Sequence, residues 1–111
     1  MEIKTYEISS GKCPFKIWLK SIKEFYTKAK IFTRLDRLKE GNFGDCKTIE
    51  NSLYELRIHY GSGIRIYYTK INNVIILLLC GRDKGTQTRD INKAKEYLKD
   101  YQLNGENYGK K

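Results

Sequence analysis

The chain has 111 residues, and its 22 Lys and Arg against 13 Asp and Glu give a net charge of +9. This excess favours a polyanionic partner such as RNA or DNA. The alternative is that the protein comes from a proteome rich in Lys and that its charge has no specific function. Its length fits one domain with a modest core, and its 40% apolar content argues against disorder. No signal-peptide pattern or long apolar run is present, and we expect a cytoplasmic protein. Three scattered cysteines and a single histidine argue against a structural zinc site. We expect reduced thiols, with a disulfide as the alternative, and no metal or other cofactor.

The N-terminal half predicts one strand and two helices. Residues 2–8 alternate like a strand, and Pro14 stands where a helix commonly begins. Apolar residues at helical spacing, Phe25 among them, extend that helix to about Tyr26. A second helix is expected over about 28–39, with a glycine just beyond it. The segment 43–52 has no period and is expected to be irregular.

Residues 53–70 (LYELRIHYGSGIRIYYTK) alternate with period two and predict a hairpin with one apolar and one polar face. The two apolar sets must share a face, which limits the possible registers. A three-residue loop at 61–63, with Gly63 in the left-handed region, satisfies this condition. It pairs Arg57 with Tyr67 and His59 with Arg65.

The C-terminal half predicts one more strand and one helix. The continuous apolar run 74–80 is typical of a strand buried on both faces, and 81–88 of a polar loop. A final helix is expected over about 89–101. The fold class is α+β: one domain over 1–102, with a twisted antiparallel sheet of about four strands packed by two N-terminal helices and a C-terminal helix, and a flexible tail over 103–111. Helices on one side of the sheet would leave a face or an edge open for a ligand.

Two arginines and a histidine on the polar face of the hairpin are the main candidates for chemistry. The forked guanidiniums of Arg57 and Arg65 match phosphate oxygens and can stabilise charge that develops on them. His59 is a candidate general base or acid, and Glu55 either takes a proton or neutralises Arg57. The alternative is a solvated sheet face with weak ion pairs.

Other residues extend this candidate site. Tyr67 is a candidate to stack on a base or donate a hydrogen bond, and Lys84 and Arg82 lie in the predicted loop after the buried strand. Lys47, just before the hairpin, is a further candidate RNA contact. No carboxylates are spaced as a metal pair. The set favours metal-free RNA cleavage, in which the ribose 2′-hydroxyl is the nucleophile and DNA is spared.

Four fragments in order, SGKCPFKIWLKSI, RLDRLKEGNFGDCK, ELRIHYGSGIRIYY and LLLCGRDKGTQTRDINKAKEYLKDY, resemble the RelE/ParE superfamily of toxins, and more narrowly the HigB-like addiction module killer proteins (phage Gp49-like). The resemblance implies a ribosome-dependent messenger RNA endonuclease. It also implies a cognate antitoxin, typically a HigA-like helix-turn-helix protein, with operator DNA bound only through the toxin–antitoxin complex. No membrane partner is implied.

The resemblance carries over to particular residues. Arg57 and Arg65 match two basic sheet positions of RelE-type toxins, and Lys84 lies in the loop of a further one. The chain departs from the pattern at Glu55, where those toxins have a basic residue, and near the last helix, where it has Asp90 or Ile91 in place of a tyrosine. His59 and Glu55 are the candidate replacements. A ParE-like gyrase inhibitor and an inactive mobile-element homologue acting as a binding module are the alternatives.

Overall fold

The computed structural model describes residues 1–83 and 87–109, with side chains described to residue 104. Within this part of the chain no helix is long and apolar enough to cross a membrane. In chain order the elements are β1 (Glu2–Thr5), α1 (Pro14–Ser21), α2 (Phe25–Lys39), β2 (Cys46–Glu50), β3 (Leu53–Ile58), β4 (Ile64–Ile71), β5 (Ile75–Arg82) and α3 (Gln87–Gly109).

One five-stranded sheet organises the molecule, in the order β1-β5-β4-β3-β2. Strand β1 runs parallel to β5, and the other neighbours are antiparallel. The fold is therefore α+β with a mixed sheet, compatible with a RelE-like fold. The expectation of about four antiparallel strands missed β2, which lies in the segment expected to be irregular. This short edge strand is mostly exposed and has no two-residue alternation to reveal it.

Helices cover both faces of the sheet, so the expectation that they lie on one side is wrong. Helices α1 and α2 pack on one face through Trp18, Ile31 and Leu38. Helix α3 packs on the other face through Ala94 and Leu98. The physical reason is the apolar run of β5, whose side chains need apolar cover on both faces.

The hairpin between β3 and β4 has its apolar residues on one face, as predicted, but a different register. Arg57 lies opposite Arg65, and Glu55 lies opposite Tyr67, so the predicted pairs Arg57–Tyr67 and His59–Arg65 are wrong. Strand β3 ends at Ile58 and β4 begins at Ile64, which leaves a loop of residues 59–63 rather than 61–63. The shift is by two residues, so each side chain keeps its face.

The first helix ends earlier than predicted. Helix α1 stops at Ser21, and α2 begins at Phe25, where the Glu24 carboxylate accepts a hydrogen bond from the Thr27 amide (3.2 Å). Phe25 therefore opens α2 instead of closing α1, and it is 74% exposed. The expectation that it faces the core is wrong.

Strand β5 extends through Gly81 and Arg82, which the sequence assigned to a loop. Strand β5 contains a β-bulge within its pairing to β4, because Tyr67 pairs with Cys80 but Tyr68 pairs with Leu78, so that Leu79 is an extra residue. The extra residue reverses the alternation, so Arg82 lies on the same face as Arg65. Helix α3 begins at Gln87, before the expected start, and runs past the expected end to Gly109. The flexible tail over 103–111 stays a prediction.

Candidate nucleic-acid interface

Three arginines form a row across three neighbouring strands, on the face of the sheet that α3 covers. Arg57 of β3 lies opposite Arg65 of β4, and Arg65 lies opposite Arg82 of β5. We call this set the arginine row. It lies beside the first turn of α3, so the helix covers the sheet beyond the row. The side chains of Arg57 and Arg82 remain 39% and 44% exposed.

Each of the two outer arginines makes an ion pair with a buried carboxylate. Arg57 Nε lies 3.3 Å from Glu55 Oε1, and Arg82 Nε lies 3.0 Å from Asp90 Oδ1. Both contacts use the inner nitrogen, so the terminal nitrogens of each guanidinium are left for a ligand. Arg65, between them, has no ion pair or hydrogen bond with any described residue. The row thus holds three positive charges against two carboxylates, and its central charge makes no direct ion pair, although it lies close enough to Asp90 to act on the pKa of that carboxyl.

Glu55 is completely buried and acts as an anchor for the row. Its Oε2 accepts a hydrogen bond from Gln87 Nε2 (3.0 Å), which ties the start of α3 to β3. Tyr67 is also completely buried, and burial together with the nearby Glu55 carboxylate raises the pKa of its hydroxyl well above the ordinary range. That hydroxyl makes no hydrogen bond of good geometry with a described residue. The ring has no exposed surface in this structure, so it does not offer an open stacking platform, and a role for Tyr67 as a hydrogen-bond donor to RNA stays a prediction.

Asp90 is the second buried carboxylate of the site, and it comes from the inward face of α3. Burial raises the pKa of Asp90 above its usual range, although the neighbouring Arg82, Arg65 and Arg89 act in the opposite direction. Its Oδ2 is buried without a hydrogen-bond partner in the described part of the chain. The arginines therefore offset part of the effect of burial, but the net shift of the Asp90 pKa is upward.

His59 lies outside the arginine row, in the loop after β3. Its Nε2 contacts Asp45 Oδ2, and both side chains are exposed. This contact with His59 is the main cause of a lowered pKa for Asp45, and Arg57 contributes to the same effect. Asp45 therefore lies close enough to the arginine row for the charge of Arg57 to lower its pKa. A carboxylate that holds an imidazole is an arrangement suited to proton transfer.

The other sequence candidates are distributed around this face. Lys47 is exposed on β2 and pairs with Glu55, which puts it on the face of the row at the sheet edge. Lys84 lies outside the described residues. No group of three or more His, Cys, Asp or Glu that could hold a metal occurs in the ranges that the structure describes.

Sequence reasoning missed two residues of the site, Asp90 and Gln87. A signal for Asp90 was present, because it shares a helical face with Ala94 and Leu98, both buried. A carboxylate on the apolar face of a helix needs a cationic partner. Nothing in the sequence indicated Gln87, because its role depends on where α3 meets β3.

Residues 18–99 match the model of a protein family described as phage derived protein Gp49-like (DUF891). The chain belongs to this family. Gp49-like proteins are associated with toxin–antitoxin modules, which makes this chain a toxin-type protein whose partner is a cognate antitoxin. It is also similar to an uncharacterised protein of Haemophilus influenzae (strain Rd), with 48% identity over 81 residues, 73% of this chain and 82% of that one.

The matched range of this Gp49-like protein includes every residue of the site described above. The arginine row, both anchoring carboxylates and the Asp45–His59 pair lie between residues 18 and 99. The family match and the candidate site therefore concern the same part of the molecule.

Proposed function

We propose that this Gp49-like toxin is a ribosome-dependent endoribonuclease that cuts messenger RNA through attack by the ribose 2′-hydroxyl. The observation that carries the proposal is the arginine row, with three neighbouring guanidiniums and an unpaired one in the middle. Terminal guanidinium nitrogens are strong, geometrically matched ligands for phosphate oxygens. A row of them suits a phosphodiester whose negative charge increases as the reaction proceeds.

The reaction assigns a role to each part of the site. Arg65 and Arg57 hold the scissile phosphate and stabilise its transition state, while Arg82 supports the adjoining backbone. His59, oriented by Asp45, accepts the 2′-hydroxyl proton as the 2′-oxygen bonds to phosphorus and the bond to the 5′-oxygen breaks. Lys84 donates a proton to that leaving oxygen. The products are a 2′,3′-cyclic phosphate and a 5′-hydroxyl end.

Glu55 receives a different role from the one that its side-chain type suggests. A fully buried carboxylate cannot reach a substrate, so in this proposal Glu55 is a positioning residue for Arg57 and not the general base. The proton-transfer role therefore rests on His59, whose side chain is exposed.

The proposal includes the partners of a toxin. The ribosome presents the message in its A site, and the antitoxin is a HigA-like helix-turn-helix protein that neutralises the toxin. Operator DNA is bound only as part of their complex. The positive charge of the chain supports an RNA-rich target.

Mapping the 5′ ends of cellular RNA after induced expression tests this function. We expect new 5′-hydroxyl ends inside coding sequences within minutes of induction. The absence of new ends, together with a DNA-damage response, would favour gyrase inhibition instead. Normal growth after induction of the intact protein would indicate an inactive binding module.

A further inference from the structure

A cavity of about 720 Å³ opens beside the arginine row, between α1, α3 and the end of β5. It exists because β1 accompanies β5 only as far as Leu78, where the Tyr6 amide makes the last hydrogen bond between them. Beyond that point, residues 80–82 form one wall of the cavity, and α1 and α3 form the others. This volume lies within the range of small-molecule sites.

The cavity is positively charged. Among the residues that the structure describes, four cations line it, and the one acidic lining residue, Asp90, already contacts Arg82. The cations come from two elements, β5 and α3, and from the loop before α1: Lys12, Arg82, Arg89 and Lys93. An anionic ligand is therefore favoured over a neutral or cationic one.

The walls of the cavity are largely apolar. Ile17 and Trp18 of α1 and Tyr97 of α3 are among the lining residues, and the Trp18 indole nitrogen donates to Asp83 Oδ1 (3.5 Å). Cations at the rim and flat apolar walls inside match a nucleotide, whose base is a partly apolar ring and whose phosphate is charged. An inorganic anion would use the rim alone.

Arg82 connects the cavity to the arginine row, since it belongs to both. We propose that this cavity is a nucleobase subsite, which takes the base of the nucleotide next to the phosphate held by the arginine row. This inference rests on the proposed function, because it takes RNA as the substrate. It makes the cavity walls, rather than the arginines, the residues that select among bases.

Trp18 provides a direct test, because it is the only tryptophan of the chain and lines the cavity. The intact protein is titrated with each nucleoside 5′-monophosphate and with inorganic phosphate while Trp18 fluorescence is followed. We expect saturable quenching by at least one nucleotide and at least a tenfold weaker apparent affinity in Lys93→Glu. The matched control is Lys99→Glu, an equal charge change at an exposed position of α3 that does not line the cavity. It is expected to bind like the wild type.

Three results would overturn the subsite. They are no saturable quenching by any nucleotide, equal effects of nucleotide and inorganic phosphate, and equal weakening in the Lys93 and Lys99 variants.

A second measurement separates this inference from the nuclease proposal. Ile17→Trp narrows the cavity mouth, and Val74→Trp is the control at a site of equal exposure (56% and 57%) beside the β4–β5 turn. We expect the Ile17 variant to change which bases flank the cut sites and the Val74 variant to leave them as they are. Cleavage with an unaltered base pattern in the Ile17 variant would contradict the subsite. Nucleotide quenching without RNA cleavage by the wild type would contradict the nuclease and leave the subsite supported.

Discussion

Arg65 differs from its two neighbours in having no anionic partner among the described residues, and this difference matters for both stability and function. Like charges directly opposite on adjacent strands destabilise a sheet by up to about 1 kcal/mol. The outer arginines recover part of that cost through Glu55 and Asp90, but Arg65 does not. A bound phosphate would supply the missing charge, so the site is arranged for a ligand more than for the stability of the free protein.

Alanine variants of the row should separate these two effects. We expect Arg65→Ala to be at least as stable as the wild type, because it removes a charge that lies between two like charges and makes no direct ion pair. Arg57→Ala leaves the buried Glu55 without its cation and should lower the free energy of unfolding by about 1–3 kcal/mol. Urea unfolding followed by circular dichroism measures both. A clear loss of stability in Arg65→Ala, as large as in Arg57→Ala, would contradict this account.

The pH dependence of stability should report on Asp90. Because burial raises its pKa in the folded protein, the unfolded chain loses this proton at a lower pH than the folded one. The stabilising contribution of the protonated group is complete below the unfolded pKa, near 4, and disappears as the pH rises through the folded pKa. We therefore expect the stability of Asp90→Asn relative to the wild type to increase over that interval and to level off above it. A difference that is constant from pH 3 to pH 7 would show that Asp90 is not perturbed.

At the scale of elements, the bulge in β5 brings the row together. Without the extra residue between Leu78 and Cys80, Arg82 would face α1 instead of α3. The sequence showed only a continuous apolar run followed by polar residues, and an apolar run has no alternation in which a bulge could be seen. This is why Arg82 was assigned to a loop, and its role as an RNA contact stays a prediction.

The hairpin shows which part of the site could be predicted from sequence and which could not. Alternation of apolar residues placed Glu55, Arg57, Arg65 and Tyr67 on one face, and the structure has them there. The loop length could not be read, because Gly61 and Gly63 both adopt positive φ and fit a three-residue or a five-residue loop equally well. The strand that pairs with β1 could not be predicted either, because a two-residue period shows that a segment is a strand but not which strand lies next to it.

Gly81 is needed where α1 crosses β5. A methyl group at this position would lie 2.3 Å from ring carbons of Trp18, far inside normal contact distance. We expect Gly81→Ala to lower the free energy of unfolding by about 1–3 kcal/mol, as overpacked cores do. The cost should fall below about 1 kcal/mol when the substitution is made in a Trp18→Leu background, where space is available. Equal costs in both backgrounds, measured by circular dichroism, would mean that the contact with Trp18 is not the cause.

At the scale of the whole molecule, the net charge of +9 does not by itself identify the face that we propose binds RNA. Lysines and arginines also occur on α2, which packs on the opposite face of the sheet. The arginine row differs in its geometry, because its three charges lie side by side and the two outer ones are paired with buried carboxylates. The net charge of the chain therefore predicts a polyanionic partner, and the pairing register of β3, β4 and β5 predicts the place where that partner binds.

The salt dependence of RNA binding can locate that face. Each phosphate contact to single-stranded RNA contributes about 0.7 to the slope of log affinity against log salt concentration. We expect Arg65→Ala to reduce the magnitude of the slope by about 0.7, and Arg37→Ala, an equal charge loss at an exposed residue of α2, to leave it unchanged. Fluorescence anisotropy with a labelled, uncleavable 2′-O-methyl RNA measures both. Equal slopes for the two variants would show that binding follows the net charge alone.

Primer extension on messenger RNA bound to translating ribosomes tests the central claim, that the arginine row cuts RNA. Purified wild-type protein and Arg37→Ala are expected to generate new 5′ ends within codons at the A site. Arg65→Ala is expected to generate none, although it folds and is as stable as the wild type. Cleavage by Arg65→Ala at the wild-type level would remove the arginine row from the mechanism and contradict the account.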